Sequence, residues 1–253
     1  MSSLTIENYL KTIYQLCAEN DNRPALTGKL ALALRVSPGT VTSMLKMLSV
    51  SGLAVYTRYE GVELTEAGRR LALRVLRRHR LIELFLVKTL NLTWDEVHEE
   101  AENMEHAVSD LLVDRIDAFL GYPATDPHGD PIPKADGTVA TTVGVPLEQW
   151  PLHTPFRLVR VLDQSPDFLR YLVDVGLPLG AEAAVVASRP AAGVIEVQTP
   201  NATLTLAVTA AAKLYVGPSA AAEANESASA NGKARSDANR TSSRRKEQKE
   251  PTA

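Results

Sequence analysis

The chain has 253 residues, a net charge of −3, 45% hydrophobic residues and one cysteine, Cys17. One cysteine excludes an internal disulfide framework and a cysteine-based zinc site, and no run approaches the roughly 20 apolar residues of a membrane helix. The N-terminus, "MSSLTIENYL", lacks the basic start and long apolar stretch of a secretion signal. We therefore expect a cytoplasmic protein without a membrane partner, in which any nucleic-acid binding depends on a local basic surface.

Local amino-acid composition divides the chain into four segments and predicts a mainly α protein with a small β domain. Residues 1–68 and 69–137 are helix-rich, and the second segment ends in the Pro- and Gly-rich loop "GYPATDPHGDPIPKADG". Residues 138–217 hold short β-prone runs around one short helix, "SPDFLRYLVDVGL", which predicts a small barrel or sandwich. Residues 218–253 have almost no large apolar side chains and are predicted to be a disordered tail.

The first segment is predicted to be a winged helix-turn-helix. One helix covers about Leu4 to Glu19, and a short helix starts near Thr27. Helical spacing gives the first helix a shared apolar face of Leu4, Tyr9, Ile13 and Leu16. A third helix follows Ser37 as N-cap, with Pro38 at its first position. The segment "LAVYTRYEGVELT" then predicts a hairpin. This order is typical of DNA-binding domains, and the alternative is a helical packing unit that binds no nucleic acid.

The third helix has an inward apolar stripe, Val41, Leu45 and Leu48, at helical spacing. Its outward face is small, hydroxyl-bearing or basic, and offers no Arg, Asn or Gln for a bidentate base contact. We therefore expect DNA shape and apolar contacts to supply much of the sequence preference. The candidate DNA-binding residues are Thr27, Ser37, Pro38, Gly39, Thr40, Thr42, Ser43, Lys46 and, near the hairpin tip, Arg58.

Two predicted helices of the second segment present imidazoles and carboxylates. The first is "EAGRRLALRVLRRHRLIELFLVKTL", and the second is "TWDEVHEEAENMEHAVSDLLVDRI", which opens with a capping-box pattern at Thr93 and Glu96. Groups four apart on a helix share a face, and four of these groups fall in one sector of the second helix. The six groups are His79 and Glu83 on the first helix, and His98, Glu102, Glu105 and His106 on the second. Imidazoles with carboxylates and no thiolate suit Mn²⁺ or Fe²⁺.

Two alternatives compete with a metal-sensing site. The acidic helix could be a solvent-exposed face that forms salt bridges with Arg77, Arg78 and Arg80. A metalloenzyme is the other alternative, but "HEEAE" has Ala101 where an HExxH motif needs its second histidine. No Gly-rich phosphate loop or nucleophile elbow is present either. The sequence therefore predicts a protein that is not an enzyme.

Five segments together resemble the diphtheria-toxin-repressor family of metal-dependent transcriptional regulators, and most of all its manganese-responsive branch. They are "ENYLKTIYQL", "VSPGTVTSMLKML", "RRHRLIELFLV", "HEEAENMEHAVSDLLVDRID" and "DPHGDPIP", and the resemblance extends to about residue 217. It implies a winged-helix domain, a helical dimerisation and metal-binding domain, and an SH3-like (FeoA-like) C-terminal domain. It also implies a homodimeric repressor of metal-uptake genes, with Mn²⁺ (or Fe²⁺) as cofactor and one or two dimers on a palindromic double-stranded operator. A helix-turn-helix regulator that answers to another ligand is the alternative.

The resemblance also implies which residues bind metal. A regulatory site would take Glu102, Glu105 and His106 with Asn8 of the first helix. A second site would take His79, Glu83 and His98, and Asp126, His128 and Asp163 would either join or replace His98. Glu102 stands where iron-responsive relatives have a sulfur ligand, which favours Mn²⁺. Asn8 stands where manganese-type relatives often have aspartate, so the site has one negative charge fewer. The C-terminal domain has few exposed aromatics for binding polyproline peptides, so we expect it to supply Asp163 as a ligand. The alternative is that Asp163 is an ordinary turn residue.

Overall fold

A computed structural model of the chain describes residues 3–141 and 144–219. The chain forms two compact units, one up to residue 142 and one from residue 143 onward. Residues 220–253 of the predicted tail are not among the described residues. The first residue of the predicted tail, Pro218, belongs to the last strand. Within the described ranges, no helix is both long enough and apolar enough to cross a membrane.

The first part of unit 1 is a winged helix-turn-helix. Leu10, Ile13, Leu45 and Leu48 are fully buried in its core. Helical spacing predicts this for Ile13, Leu45 and Leu48, whereas Leu4 is 46% exposed and its predicted place on the apolar face is wrong. The two strands pair as an antiparallel hairpin. The elements are α1 (Ser3–Glu19), α2 (Thr27–Ala33), α3 (Pro38–Val50), β1 (Ala54–Thr57) and β2 (Gly61–Leu64).

Local signals place α3 and the next helix where the sequence predicts them. The Ser37 hydroxyl accepts a hydrogen bond from the backbone N–H of Thr40 at 3.1 Å, and Pro38 is the first residue of α3. A long helix, α4 (Glu66–Leu90), begins after Thr65, whose hydroxyl caps the N–H of Gly68 at 3.1 Å. A Cβ atom on Gly68 would lie 1.9 Å from the Leu53 carbonyl oxygen. The glycine therefore allows α4 to pack closely against the residues that precede the hairpin.

The predicted single helix from Thr93 onward is wrong, because the chain forms two helices there. These are α5 (Val97–Met104) and α6 (Asp110–Phe119). The Glu96 carboxylate accepts a hydrogen bond from the Thr93 N–H at 3.0 Å, so this half of the predicted capping box forms. Ser109 caps a new helix by accepting from the Leu112 N–H at 3.3 Å. Glu105 and His106 therefore lie in the turn between the helices and not on the face of one continuous helix.

Unit 2 is a six-stranded antiparallel sheet with strand order β3-β8-β4-β5-β6-β7. Phe156, Leu158, Val185 and Val216 of the sheet are buried, as is Leu172 of the accompanying helix. This arrangement confirms a mainly α protein with a small, SH3-like β domain. Its elements are β3 (Val145–Pro146), β4 (Pro155–Val161), α7 (Pro166–Asp174), β5 (Glu182–Arg189), β6 (Val194–Gln198), β7 (Thr203–Ala207), α8 (Val208–Ala211) and β8 (Leu214–Pro218).

Candidate metal centre and DNA-contacting surface

The loop after α6 and the middle of α4 bring Glu83, Asp126 and His128 together. One ligand atom from each lies within 4.8 Å of the others, and all three side chains are buried. Glu83 Oε2 and His128 Nδ1 lie 3.8 Å apart, and neither has a hydrogen-bond partner among the described residues. Buried polar atoms without partners are costly. A cation between these atoms would satisfy both, so the residues fit a metal.

The backbone around Trp94 and the loop fix the orientation of the His128 ring. Its Nε2 lies 2.7 Å from the Trp94 carbonyl oxygen, which can only accept, so Nε2 is the protonated nitrogen. The Trp94 ring also stacks on the His128 ring at a centroid distance of 6.2 Å. Burial lowers the pKa of His128 despite the opposing effect of Glu83. The neutral ring therefore directs a lone pair on Nδ1 toward Glu83, as in many metal-ligating histidines.

Asp126 presents one carboxylate oxygen to the same space. Its Oδ1 accepts from the backbone N–H groups of His128 (2.8 Å) and Asp130 (2.9 Å), whereas Oδ2 lies 3.5 Å from Arg80 Nε. Arg80 also donates to the Pro131 carbonyl at 2.6 Å and so ties the loop to α4. Burial, together with the carboxylates of Asp130 and Glu83, raises the pKa of Asp126 to about 8. The metal-free protein therefore keeps Asp126 largely protonated at neutral pH.

A second group, His79, Glu83 and His98, adjoins the first through Glu83. His79 Nε2 lies 2.9 Å from Glu83 Oε1 and 3.2 Å from His98 Nδ1, and His79 Nδ1 lies 2.6 Å from Glu105 Oε2. Burial alone would lower the pKa of His79, but Glu83 and Glu105 outweigh it and raise the pKa to about 9. The same ion pairing keeps the pKa of Glu83 low in spite of burial. An imidazolium thus links two carboxylates in the metal-free protein.

Three residues of the expected regulatory site, Glu102, Glu105 and His106, contact α1 through two unexpected charged residues, Lys11 and Glu7. Lys11 Nζ lies 2.5 Å from Glu102 Oε1 and 2.7 Å from Glu105 Oε1. His106 Nδ1 lies 2.7 Å from Glu7 Oε2, and His106 Nε2 lies 3.1 Å from Glu105 Oε1.

Asn8 Oδ1, on α1, is buried without a hydrogen-bond partner in the described part of the chain. Within that part, His79, Glu102 and Glu105 form a group with ligand atoms inside 4.8 Å, and His106 belongs to no such group. The assignment of Asn8, Glu102, Glu105 and His106 as one metal site therefore stays a prediction.

The arginines of α4 do not neutralise the histidine and glutamate cluster, as the alternative of a solvated acidic face required. Arg77 donates to Asp117 at 2.9 Å and Arg78 to Asp110 at 2.8 Å, both on α6. Arg80 binds the loop. Arg77, Arg78 and Arg80 therefore hold α6 and the loop against α4.

Asp163 lies in unit 2, where its carboxylate accepts from Lys213 Nζ and Ser165 Oγ at 2.6 Å each. Burial would raise the pKa of Asp163, but these two partners lower it. Its assignment as a metal ligand stays a prediction from the resemblance.

The candidate DNA-contacting residues form the outward face of α3 and its flanks. Ser37, Pro38, Gly39, Thr40, Ser43 and Lys46 are exposed, and Thr27 and Thr42 are partly exposed. The hydroxyls of Thr42 and Ser43 donate to helix carbonyls at 2.9 and 3.0 Å, so their oxygens remain available as acceptors. On the wing, exposed Arg58 packs its guanidinium 4.7 Å from the Tyr59 ring centroid.

Sequence reasoning missed five residues around the metal centre. Glu7 and Lys11 are four apart on α1 and Lys11 is three residues after Asn8, so helical spacing could have placed Lys11 beside both. Asp130 is a second aspartate in the same loop as Asp126, so the sequence did offer a signal for it. Arg80 and the Trp94 carbonyl left no signal in the sequence, since their roles depend on tertiary contacts.

Three family profiles match successive parts of the chain. The N-terminal DNA-binding domain of iron-dependent repressors matches residues 1–62, and the metal-binding and dimerisation domain of iron-dependent repressors matches residues 65–134. The FeoA domain matches residues 145–218.

Among curated proteins, the chain is 35% identical to the iron-dependent repressor IdeR of Mycobacterium tuberculosis over 217 residues, which cover 80% of this chain and 92% of that one. It is 36% identical to the diphtheria toxin repressor of Corynebacterium diphtheriae over 132 residues, which cover 52% of this chain and 58% of that one.

Among solved structures, a manganese-dependent transcriptional repressor in complex with manganese is 40% identical, with a TM-score of 0.76 over 84% of this chain and 99% of that one. The manganese regulator SloR is 34% identical, with a TM-score of 0.72 over 84% and 98%. The fold and these matches define a metal-dependent DNA-binding regulator. The chain belongs to the diphtheria-toxin-repressor (iron-dependent repressor) family, which confirms the resemblance.

Proposed function

We propose that this chain is a Mn²⁺-dependent transcriptional repressor of metal-uptake genes that acts on double-stranded DNA in the cytoplasm. The observation that carries the proposal is the buried group of Glu83, Asp126 and His128, in which two ligand atoms face each other without partners. Its relatives are transcriptional repressors, and we propose regulation and not catalysis for this chain as well.

Mn²⁺ is our preferred metal because the donor atoms are carboxylate oxygens and imidazole nitrogens. The one cysteine, Cys17, packs with the core of the DNA-binding domain, so thiolate plays no part in the donor set. Hard oxygen donors suit Mn²⁺, and Fe²⁺ is the alternative. A 40%-identical relative is named for manganese, whereas the IdeR relatives are named for iron. The donor chemistry is therefore our reason for choosing Mn²⁺.

Bound metal would supply positive charge at sites where carboxylates otherwise need protons or protein cations. Glu83, Asp126 and His128 would then hold the loop at α4, with His79 and His98 beside them. Asn8, Glu102, Glu105 and His106 would form the regulatory site, which joins α1 of the DNA-binding domain to the end of α5. Tying these elements together shifts the population toward the form that binds DNA.

We propose a homodimer that places two α3 helices on a palindromic operator, with one or two dimers per site. α6 exposes Leu111 (68%), Leu112 (47%) and Phe119 (70%), an apolar face that suits a subunit interface. The matching family description for residues 65–134 names both metal binding and dimerisation. We assign residues 1–68 to DNA binding, 69–137 to dimerisation and metal binding, and 138–217 to an SH3-like regulatory domain in which Asp163 is a candidate ligand.

Metal-dependent DNA binding is the test. Fluorescence anisotropy with DNA from manganese-transporter promoters and from the gene's own upstream region is titrated at fixed salt with Mn²⁺, anaerobic Fe²⁺, Zn²⁺ or chelator. We expect tight binding with Mn²⁺ that chelator abolishes. Equal affinity with and without metal would contradict the proposal and favour a helix-turn-helix regulator with another ligand.

A further inference from the structure

Lys11 places a buried ammonium group between two carboxylates of the proposed regulatory site. Its side chain is 7% exposed, and Nζ contacts Glu102 and Glu105 at 2.5 and 2.7 Å. Lysine is seldom buried unless it is paired, and these partners lie 91 and 94 residues further along the chain. The contact is therefore a tertiary ion pair that the fold specifies.

The ammonium balances much of the charge that would attract a metal. Glu102 and Glu105 bring two negative charges and Lys11 returns one positive charge, while Asn8 is neutral. A divalent cation that binds both carboxylates must displace the ammonium or tolerate repulsion from it, and repulsion is strong where solvent is excluded. Glu105 is fully buried, so water screens this contact little.

The group of Glu83, Asp126 and His128, here called the loop group, is less fully occupied by protein cations. Arg80 lies 3.5 Å from Asp126 Oδ2, whereas Glu83 Oε2 and His128 Nδ1 have no hydrogen-bond partner among the described residues. Two of its donor atoms are thus open, whereas both carboxylates of the Glu102–Glu105 pair are held by Lys11. The two candidate sites should consequently fill at different metal concentrations.

Lys11 also connects the same two segments of the chain that a metal bound at this place would connect. It belongs to α1, Glu102 belongs to α5, and Glu105 follows α5 directly. The ion pair therefore ties the first helix of the DNA-binding domain to the acidic segment when no metal is present.

We infer that Lys11 is a tethered competitor for divalent metal at Glu102 and Glu105, and that it sets the metal concentration at which this site fills. The inference rests on the proposed function. The loop site fills first, and the Glu102–Glu105 site fills only when the metal displaces the ammonium.

Mn²⁺ binding is measured by the EPR signal of free Mn²⁺ and by calorimetry on the full-length protein. Lys11→Gln removes the charge, Lys11→Arg keeps it, and Lys29→Gln is the control at an exposed lysine of α2. We expect Lys11→Gln to tighten the weaker class of Mn²⁺ sites at least tenfold and to change the tighter class less than twofold. Lys11→Arg and Lys29→Gln should match the wild type. If Lys11→Gln does not fold, Lys11→Met makes the same comparison with an apolar side chain.

The metal-free state gives a second readout. In chelator, Lys11→Gln should melt at a lower temperature than the wild type, because Glu102 and Glu105 repel each other. Saturating Mn²⁺ should abolish this difference. A wild type with a tight Mn²⁺ class but no change in the weaker class on Lys11→Gln substitution would overturn this inference alone. A wild type that binds no Mn²⁺ would overturn the proposed function and this inference together.

Discussion

His79 and Asp126 show how the metal-free protein tolerates a buried acidic site. His79 is held protonated between Glu83 and Glu105, and Asp126 is held protonated by burial beside Asp130 and Glu83. Protons thus stand in for part of the charge that a metal would supply, so metal binding and proton release are linked.

This linkage predicts how stability depends on pH in chelator. The folded-state pKa is raised from 6.5 to about 9 for His79 and from 3.8 to about 8 for Asp126. A group whose pKa is higher in the folded state binds its proton more tightly there. The stability that this contributes is fully present below the pKa of the unfolded state and is lost as the pH rises through the pKa of the folded state. The Asp126 contribution is lost between pH 3.8 and about 8, and the His79 contribution between pH 6.5 and about 9. We expect the melting temperature of the metal-free protein to fall most steeply from pH 6.5 to 8, where both are being lost, and His79→Gln to reduce the fall above pH 6.5. A flat or rising curve would contradict these protonation states.

His128 provides the most direct single-residue test of the loop site. Its Nδ1 lone pair points into the group because Nε2–H is engaged by the Trp94 carbonyl. We expect His128→Ala to weaken the tighter Mn²⁺ class by at least about tenfold in calorimetry. His153→Ala, at an exposed histidine of unit 2, is the matched control and should bind Mn²⁺ as the wild type does. Equal affinities for the two variants would remove His128 from the site.

Glu105 and His106 test the regulatory site. Glu105→Gln or His106→Ala should abolish metal-dependent operator binding and leave the circular dichroism spectrum unchanged, because each removes a donor atom at the junction of α1 and the end of α5. Glu100→Gln changes an exposed carboxylate of α5 and should leave the metal response intact. If Glu105→Gln and His106→Ala both keep the wild-type response in anisotropy titrations, the assignment is wrong.

At the scale of elements, Arg80 holds the metal-binding loop on α4. It donates to the Pro131 carbonyl and lies between the carboxylates of Asp126 and Asp130. A buried cation of this kind positions the loop without being a ligand. Its removal leaves the buried Asp130 carboxylate without this cation.

We expect Arg80→Met to lower the free energy of unfolding of the metal-free protein by ~3 kcal/mol in urea titrations. It should also weaken Mn²⁺ binding, because the loop ligands lose their anchor. Arg70→Met, at a side chain that is 67% exposed, should change stability by less than about 0.5 kcal/mol. Similar effects of the two substitutions would show that Arg80 does not anchor the loop.

At the scale of the whole molecule, a net charge of −3 requires that DNA affinity come from a local surface. Lys46 supplies a positive charge on the exposed face of α3. Each neutralised phosphate contributes about 0.9 to the slope of log K against log salt. We expect Lys46→Ala to reduce this slope by about 0.9 per protomer in Mn²⁺-loaded protein. Lys88→Ala, at the exposed end of α4, should not change the slope, and an unchanged slope for Lys46→Ala would place that side chain away from phosphate.

The sequence predicted elements whose causes are local. The Ser37 cap, the Val41, Leu45 and Leu48 stripe and the hairpin follow from capping and periodicity, so α3 and the wing were found. The break at Glu105 was missed, because helical spacing continues across it and only Ser109, as the cap of α6, marks a new start. The roles of Lys11, Arg80 and the Trp94 carbonyl were not predicted, because each depends on a partner that is distant in the sequence.

The central claim is that Glu83, Asp126 and His128 together bind a divalent metal, and that this loop site fills before the site at Glu102 and Glu105. Anomalous diffraction at the manganese absorption edge, from crystals grown with Mn²⁺, tests it most directly. We predict a strong peak within coordination distance of Glu83 Oε2, Asp126 Oδ2 and His128 Nδ1, with a weaker peak beside Glu102 and Glu105 at high Mn²⁺. A map without a peak at the loop group, in crystals whose protein binds Mn²⁺ in solution, would contradict the account.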